Sequence, residues 1–366
     1  MSHTRAAGLD RRAGLDRRNI LMGLGVGALA GMAAPPAMAA PPAHVTGLPV
    51  LRPGDDWQLT LTATPHIQLV AGAVYALTAT IDLPDGAFIE GNGAIITVAD
   101  EGIGALRAQG RRNISIRNVI FRGRDGDPLG SEPRFEHVAI RLTRCSGYRI
   151  TDCDFENWRG CGIAVTGSTG DDYFEYRGQV SGNTFHHCYL GVSFADRAEY
   201  SLLAQNIFTR NRLAVWNSSG NLTMSGNVVV SCYGAYYSFA QTSPYGVQAS
   251  DNWAHGSVTG NTFNHSNGGG GPLWKTNAAF PIGGSTVDPG PGIAINRVIP
   301  PTFSANTLWY TDVTCTQHGA NIWNLTGCAS SDLTVSAAGA EVRLVGCQWN
   351  RGHDPKLVGS ASIAAL

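Results

Sequence analysis

One short pattern recurs along this chain and restricts its fold more than any other feature. It reads apolar, small or polar, Gly or polar, Asn, any residue, then Phe or another apolar residue. The copies are IEGNGA at 89, VSGNTF at 180, LAQNIF at 203, MSGNVV at 224, VTGNTF at 258 and FSANTL at 303. Looser copies are IRNVIF at 116, ITDCDF at 150, LTGCAS at 325 and LVGCQW at 344. The fourth position forms a column: Asn92, Val119, Cys153, Asn183, Asn206, Asn227, Asn261, Asn306, Cys328 and Cys347. Its spacing runs from 19 residues, between Cys328 and Cys347, to 45, between Asn261 and Asn306. A short unit repeated at about this period cannot bury its apolar face alone, so neighbouring units must stack.

The local chemistry names the unit. Gly and Asn tolerate positive φ and suit a tight turn between two strands. An inward Asn at such a turn can satisfy backbone groups on neighbouring coils, where water cannot reach. Val or Cys fits the same slot without polar needs. After each turn comes a short strand, then a third strand such as GIAV (162–165), GVSF (191–194) or LAVW (213–216). Three strands per period is a solenoid. A hairpin sandwich would instead need a second alternating strand directly after each turn. Leucine-rich repeats are excluded because the Leu spacing is absent.

Composition agrees with one long core. The chain has 366 residues, 43% hydrophobic and 14% charged, with 46 Gly and a net charge of −1. Disorder is thereby excluded, and no basic run suggests a nucleic-acid partner. Residues 1–39 read as a cleavable export segment: Arg17-Arg18 in DRRNILM, an apolar run rich in Gly and Ala, then Ala37-Met38-Ala39 as a cleavage site. This plan resembles a twin-arginine signal and implies a periplasmic or secreted protein with no membrane partner in its mature form. The eight cysteines contain no CxxC pair, so no zinc site is expected. Cys328 and Cys347 share a column on successive coils but are expected to stay free thiols, because parallel stacking disfavours the disulfide dihedral.

Over residues 87–350 the repeat resembles the pectate-lyase-like family of right-handed parallel β-helices. The expected fold is all-β: a single-domain, right-handed, three-sheet parallel β-helix, a solenoid, over 87–366. Residues 40–86 resemble the capping segment that opens such helices, and an open solenoid end needs a cap.

In the family's convention the strand before the Asn turn is the second, the one after it the third, and the GIAV type the first. Insertions at 122–137, 168–177, 240–256 and 266–300 all flank first strands. Insertions on one face mark a binding face, and the resemblance puts a saccharide groove there. Alternation predicts an outward floor of Arg141, Thr143, Ala164, Thr166, Ser193, Ala195, Val215, Asn217, Tyr236 and Ser238. Charged and aromatic rims surround it. Thr166, Ser193, Asn217, Arg141, Arg197 and Lys275 are therefore candidate sugar contacts.

Two chemistries fit this trough. An arginine fork at Arg141 could neutralise a uronate carboxylate, with Tyr236 or His137 as acid or base, which is a lyase site. Alternatively Asp172, beside Asp171, and Asp196 on the neighbouring rung could form the paired carboxylates of glycosidic hydrolysis. The His186-His187 pair reads as hydrogen-bonded turn residues rather than metal ligands. Motifs of characterised β-helix polygalacturonases and the acidic calcium cluster of pectate lyases are missing, so no catalytic residue carries over. The reading is an exported enzyme that cleaves an acidic polysaccharide by a lyase mechanism, without cofactor or metal. A glycoside hydrolase and a non-catalytic glycan-binding module are the alternatives. Homo-oligomerisation is left open.

Overall fold

The computed structural model describes residues 47–124, 133–169, 177–239, 243–247 and 256–266, and shorter runs between 280 and 365. The export segment, Asp172, Lys275 and Cys328 lie outside the described residues.

The strands form three stacks of parallel pairs. First strands run in one continuous ladder, from Ile81–Asp82 through Leu106–Gln109, Val138–Thr143, Cys161–Thr166, Leu190–Ala195, Leu213–Asn217 and Gly234–Phe239 to Gly292–Asn296 and beyond. Second and third strands stack in their own ladders. The two merge because Phe88–Val98 and Ser115–Arg122 run unbroken around the corner between them. This is the expected three-sheet parallel β-helix.

Its interior is built from like-on-like columns. Phe121, Phe155, Phe185 and Phe208 stack with centroids 5.1, 4.7 and 4.7 Å apart and rings within 7° of parallel. Ile116, Ile150, Val180, Leu203 and Met224 line the second strands, all fully buried. Equivalent residues on stacked rungs sit about 4.8 Å apart, close to these ring spacings.

The Asn column is a continuous hydrogen-bonded ladder from Asn183 to Asn306. Each backbone N–H donates to the side-chain oxygen of the next Asn: Asn183 to Asn206 at 3.0 Å, Asn206 to Asn227 at 2.9 Å, Asn227 to Asn261 at 2.9 Å and Asn261 to Asn306 at 3.0 Å. Each amide nitrogen also donates back to a second-strand carbonyl, as Asn206 does to Val180 O at 3.0 Å. Cys153 ends the run, its N–H donating to Asn183 Oδ1 at 3.0 Å. Asn92 departs from the expectation. A register shift between Glu90 and Ala94 puts Ala94 opposite Val119, so Ala94 fills the slot. Asn92 stands out on the turn with φ 50°, donating to Leu69 O. The Gly91–Gly93 bulge supplies the extra residues that displace it.

A second interior ladder, unseen in the sequence, lies at the third-strand corner. Cys188 N–H donates to Asn211 Oδ1 at 2.8 Å, Asn211 N–H to Cys232 Sγ at 3.4 Å, and Ser266 N–H to Thr311 Oγ1 at 3.3 Å. Mixed residue types at one slot hide such a column from pattern reading.

Parallel stacking begins before residue 87. His66–Leu69 already pairs with Phe88–Glu90, and Val74–Leu77 with Ile95–Val98. The cap itself is the helix Trp57–Ala63, N-capped by Asp56, whose carboxylate accepts from Leu59 N–H. It buries Trp57 and Leu61 on the coil end, with Trp57 edge-on to Tyr75 at 5.5 Å.

Asn206→Leu removes an amide with partners on both neighbouring rungs. Chemical unfolding should show a loss of about 2–3 kcal/mol, the cost of leaving buried groups unpaired. Unchanged stability would mean the ladder is incidental.

Candidate functional site

The outward column of the first strands is set by register: Asp82, Arg107, Arg141, Ala164, Ser193, Trp216, Tyr237 and Ala294 lie on successive rungs. The inward column beside it is Ile140, Ile163, Val192, Val215, Tyr236 and Ile293. Arg141, Ala164 and Ser193 face outward as expected. Val215, Asn217, Tyr236 and Ser238 do not, and this corrects their assignment to the floor.

The cause is one residue of phase. The sequence alignment set Leu213 opposite Gly162 and Gly191, whereas the register pairs Leu213 with Leu190. The glycine slot must be small: a Cβ at Gly162 would come within 2.8 Å of the Phe185 ring, and at Gly191 within 2.8 Å of Phe208. Ala214 and Ala235 fill it on the next two rungs. A one-residue slip sends every following side chain to the other face.

Tyr236 and Asn217 are therefore interior. Asn217 Nδ2 donates to Tyr236 Oη at 3.1 Å, and Asn217 Oδ1 accepts from Ser219 N–H at 3.0 Å and its hydroxyl at 3.1 Å. Tyr236 also meets Phe303 edge-on at 5.9 Å. This pair satisfies itself inside the coil and offers nothing to a ligand on the outer face.

The floor is also covered. Ser243–Val247 lies across it as a strap. Ser193 Oγ donates to Ser243 Oγ at 2.7 Å, and Thr166 Oγ1 to the Tyr245 carbonyl at 2.8 Å. Val247 N–H donates to both Asp196 oxygens, at 3.0 and 3.1 Å. Tyr245 packs edge-on against Phe135 at 6.1 Å, beneath the Arg141 guanidinium at 5.5 Å. Further along, Trp216, Tyr237 and Phe239 form a second apolar cluster with Tyr189, Leu190 and Leu213. Thr166, Ser193 and Asp196 are thus buried groups that hold the strap. Tyr245 Oη finds no hydrogen-bond partner among the described residues, and burial pushes its ionisation well up.

Toward the capped end the outward column carries charge. Arg107 grips Asp82 with two bonds, at 2.7 and 2.8 Å, and this holds the Asp82 carboxyl below its usual range. Arg141, directly above Arg107, donates to Phe135 O at 2.7 Å and lies 3.2 Å from Glu136. Sequence reading took Arg141 as the sole long cation on the floor and missed Arg107. The alternation of LRAQ, buried and exposed by turns, was the available signal.

His137 is fully buried against Trp158, with centroids 4.5 Å apart. Its Nδ1 accepts from Arg159 N–H at 3.0 Å, so the proton sits on Nε2, which has no partner among the described residues. Arg197 meets Ser168 in an isolated antiparallel bridge at the strand end. His186 ends the strand Thr184–His186 and bonds Thr209 Oγ1 at 2.7 Å, whereas its neighbour His187 takes the turn, with φ 52°. Among the described residues no three His, Cys, Asp or Glu side chains group as metal ligands. Six described cysteines are free thiols, and burial pushes Cys188 and Cys232 up to about 12. No helix among the described residues is long and apolar enough to cross a membrane.

These features define a parallel β-helix solenoid with one charged open edge and one strapped face. Residues 101–287 match the family model described as the right handed beta helix region, and the chain belongs to that family. The E1B 55 kDa protein of human adenovirus B serotype 7 is 24% identical over 156 residues, 39% of this chain and 31% of the viral protein. The chain thus matches under a third of that curated relative's length. Among solved structures, the catalytic domain of a GH87 α-1,3-glucanase in complex with tetrasaccharides is similar with a TM-score of 0.52. The identity is 10%, over 89% of this chain and 69% of that one. Tailspike protein 3 of bacteriophage CBA120 gives 0.43 at 11% identity, over 83% of this chain and 57% of that one. At these identities the likeness is one of fold.

Burial lowers the His137 pKa from 6.5 to about 4. The unfolded chain takes up this proton near pH 6.5 and the folded one only near pH 4. The stability due to the neutral ring is therefore complete above pH 6.5 and lost as pH falls through about 4, by about 3 kcal/mol. His137→Phe should flatten the unfolding free energy between pH 7 and pH 4 by that amount. Parallel curves for variant and parent would contradict the assignment.

Proposed function

We propose that this is an exported, carbohydrate-acting protein, delivered by the twin-arginine route, and that its substrate is an acidic polysaccharide cleaved by a lyase mechanism. The observation that carries the reading is the Arg107–Arg141 column. Two guanidinium forks stand on adjacent rungs at the open end of the first-strand face, each already engaged with a carboxylate. Such forks suit the carboxylates of successive uronates, which would replace Asp82 and Glu136. The fold likeness to a glucanase domain crystallised with tetrasaccharides supports the carbohydrate class.

In β-elimination a base takes the proton beside the uronate carboxylate, the bond to the leaving oxygen breaks, and a double bond forms in the new end sugar. Arg141 would stabilise the charge that develops on the carboxylate. The base is not Tyr236, which is interior, nor His137, whose free nitrogen carries a proton and is buried. Because neither group reaches the outer face, the second reading is a glycan-binding module without catalysis.

Incubation with a panel of polysaccharides separates these. Lyase action gives ultraviolet-absorbing unsaturated ends, and Arg141→Ala should weaken binding by about 1.5–3 kcal/mol, roughly 10- to 150-fold. New reducing ends without that absorbance would overturn elimination in favour of hydrolysis. Binding without cleavage would establish the module. No binding by any member would sink the carbohydrate class.

A further inference from the structure

The third-strand corner repeats a backbone geometry that the second-strand corner solves differently. At both, a residue in the left-handed region precedes a buried ladder position. The second-strand corner places Asn118, Asp152, Gly182, Gln205, Gly226, Gly260 and Ala305 there, three of the seven being glycine. The third-strand corner uses Asn157, His187, Arg210, Ser231, His265 and Tyr310, with φ between 46° and 60° and no glycine. Positive φ is tolerated by Asn and His but strains residues such as Arg210, Ser231 and Tyr310, and such strain gathers at functional sites. The six residues lie along an edge about 24 Å long at the rung spacing, and Arg210 and Tyr310 are its exposed members.

The far end of that edge is aromatic. Trp309 and Tyr310 are 48% and 51% exposed, and their rings meet at 87° with centroids 5.2 Å apart. Tyr310 also overlies His265 at 5.0 Å, tilted by 35°. On the rung before, Asn264 stacks directly on Trp309 in register, and its side-chain oxygen bonds the His265 ring. Among the described residues the two rings are bordered by an amide and an imidazole, a polar edge that suits sugar hydroxyls.

We infer that this corner is a second carbohydrate site, separate from the first-strand face, that takes pyranose rings of a polysaccharide. Trp309 is the stacking face for the apolar C–H side of a sugar ring, and Tyr310, nearly perpendicular to it, is the wall beside that face. Asn264 and His265 supply the hydrogen-bonding edge for its hydroxyls. The left-handed residues extend the track toward Arg210. This inference rests on the carbohydrate reading but not on the lyase mechanism or on Arg141.

The test uses the full chain and two probes, α-1,3-glucan and polygalacturonate, in equilibrium binding. Trp309→Ala and Tyr310→Gly should each weaken binding of whichever probe the parent binds by at least about 10-fold, the scale of a lost aromatic contact. Tyr310→Gly should leave the melting temperature unchanged or raise it, because glycine relieves the positive φ. That result excludes misfolding as the cause of weaker binding. If Arg141→Ala still binds while the corner variants do not, the corner is the main site and the first-strand assignment falls. If the parent binds and both corner variants bind equally well, this inference is overturned and the carbohydrate reading stands. If the parent binds neither probe, both are overturned.

Discussion

The structure depends on what happens to backbone N–H groups at a buried corner. A three-strand coil turns twice inside its own stack, and each turn strips backbone groups of water. Unpaired, they would cost more than the short strands return. The Asn ladder answers this with one residue per rung. Its oxygen accepts from the rung before and its nitrogen returns to a strand carbonyl, so each coil is satisfied only by its neighbours. Stability is therefore shared between rungs rather than owned by any one of them.

That dependence explains which features were legible in the sequence. Asn has one chemistry at the slot, so five of the ladder positions repeat the same letter and reveal the period. Where the demand is met by several residue types, as at Cys188, Asn211, Cys232, Ser266 and Thr311, the column is real and the pattern vanishes. Asn92 shows the converse: the letter repeats, but a glycine bulge moves it off the slot and Ala94 takes its place. The phase slip at Leu213 has a similar origin. Gly162 and Gly191 are small because phenylalanine rings press on them, and alanine serves equally on the next rungs. Letter matching followed the glycine, whereas packing follows the space.

The first-strand face was the least legible part. Strand alternation says which side chains leave the coil but not what lies over them. Thr166, Ser193 and Asp196 have the polarity of a sugar floor, and here that polarity holds the Ser243–Val247 strap, through its backbone at Tyr245 and Val247 and through the Ser243 hydroxyl. Their partner lies up to 79 residues away in sequence, beyond any local pattern. Arg107 lies nearer the capped end and is half exposed, whereas Arg141 meets the strap at the Tyr245 ring. Among the described residues the first-strand face is thus charged near its start and strapped further along, and an exposed aromatic pair stands at the third-strand corner toward the other end.

If the stack is one cooperative unit held by its ladder, amide hydrogen exchange should show it. Peptides spanning 180–184, 203–207, 224–228 and 258–262 contain the second-strand corner on successive rungs. The account predicts that the amides of Asn183, Asn206, Asn227 and Asn261 share one high protection level and lose it together as denaturant rises. Rungs that exchange independently, or corner amides that exchange as fast as the exposed turns, would contradict it.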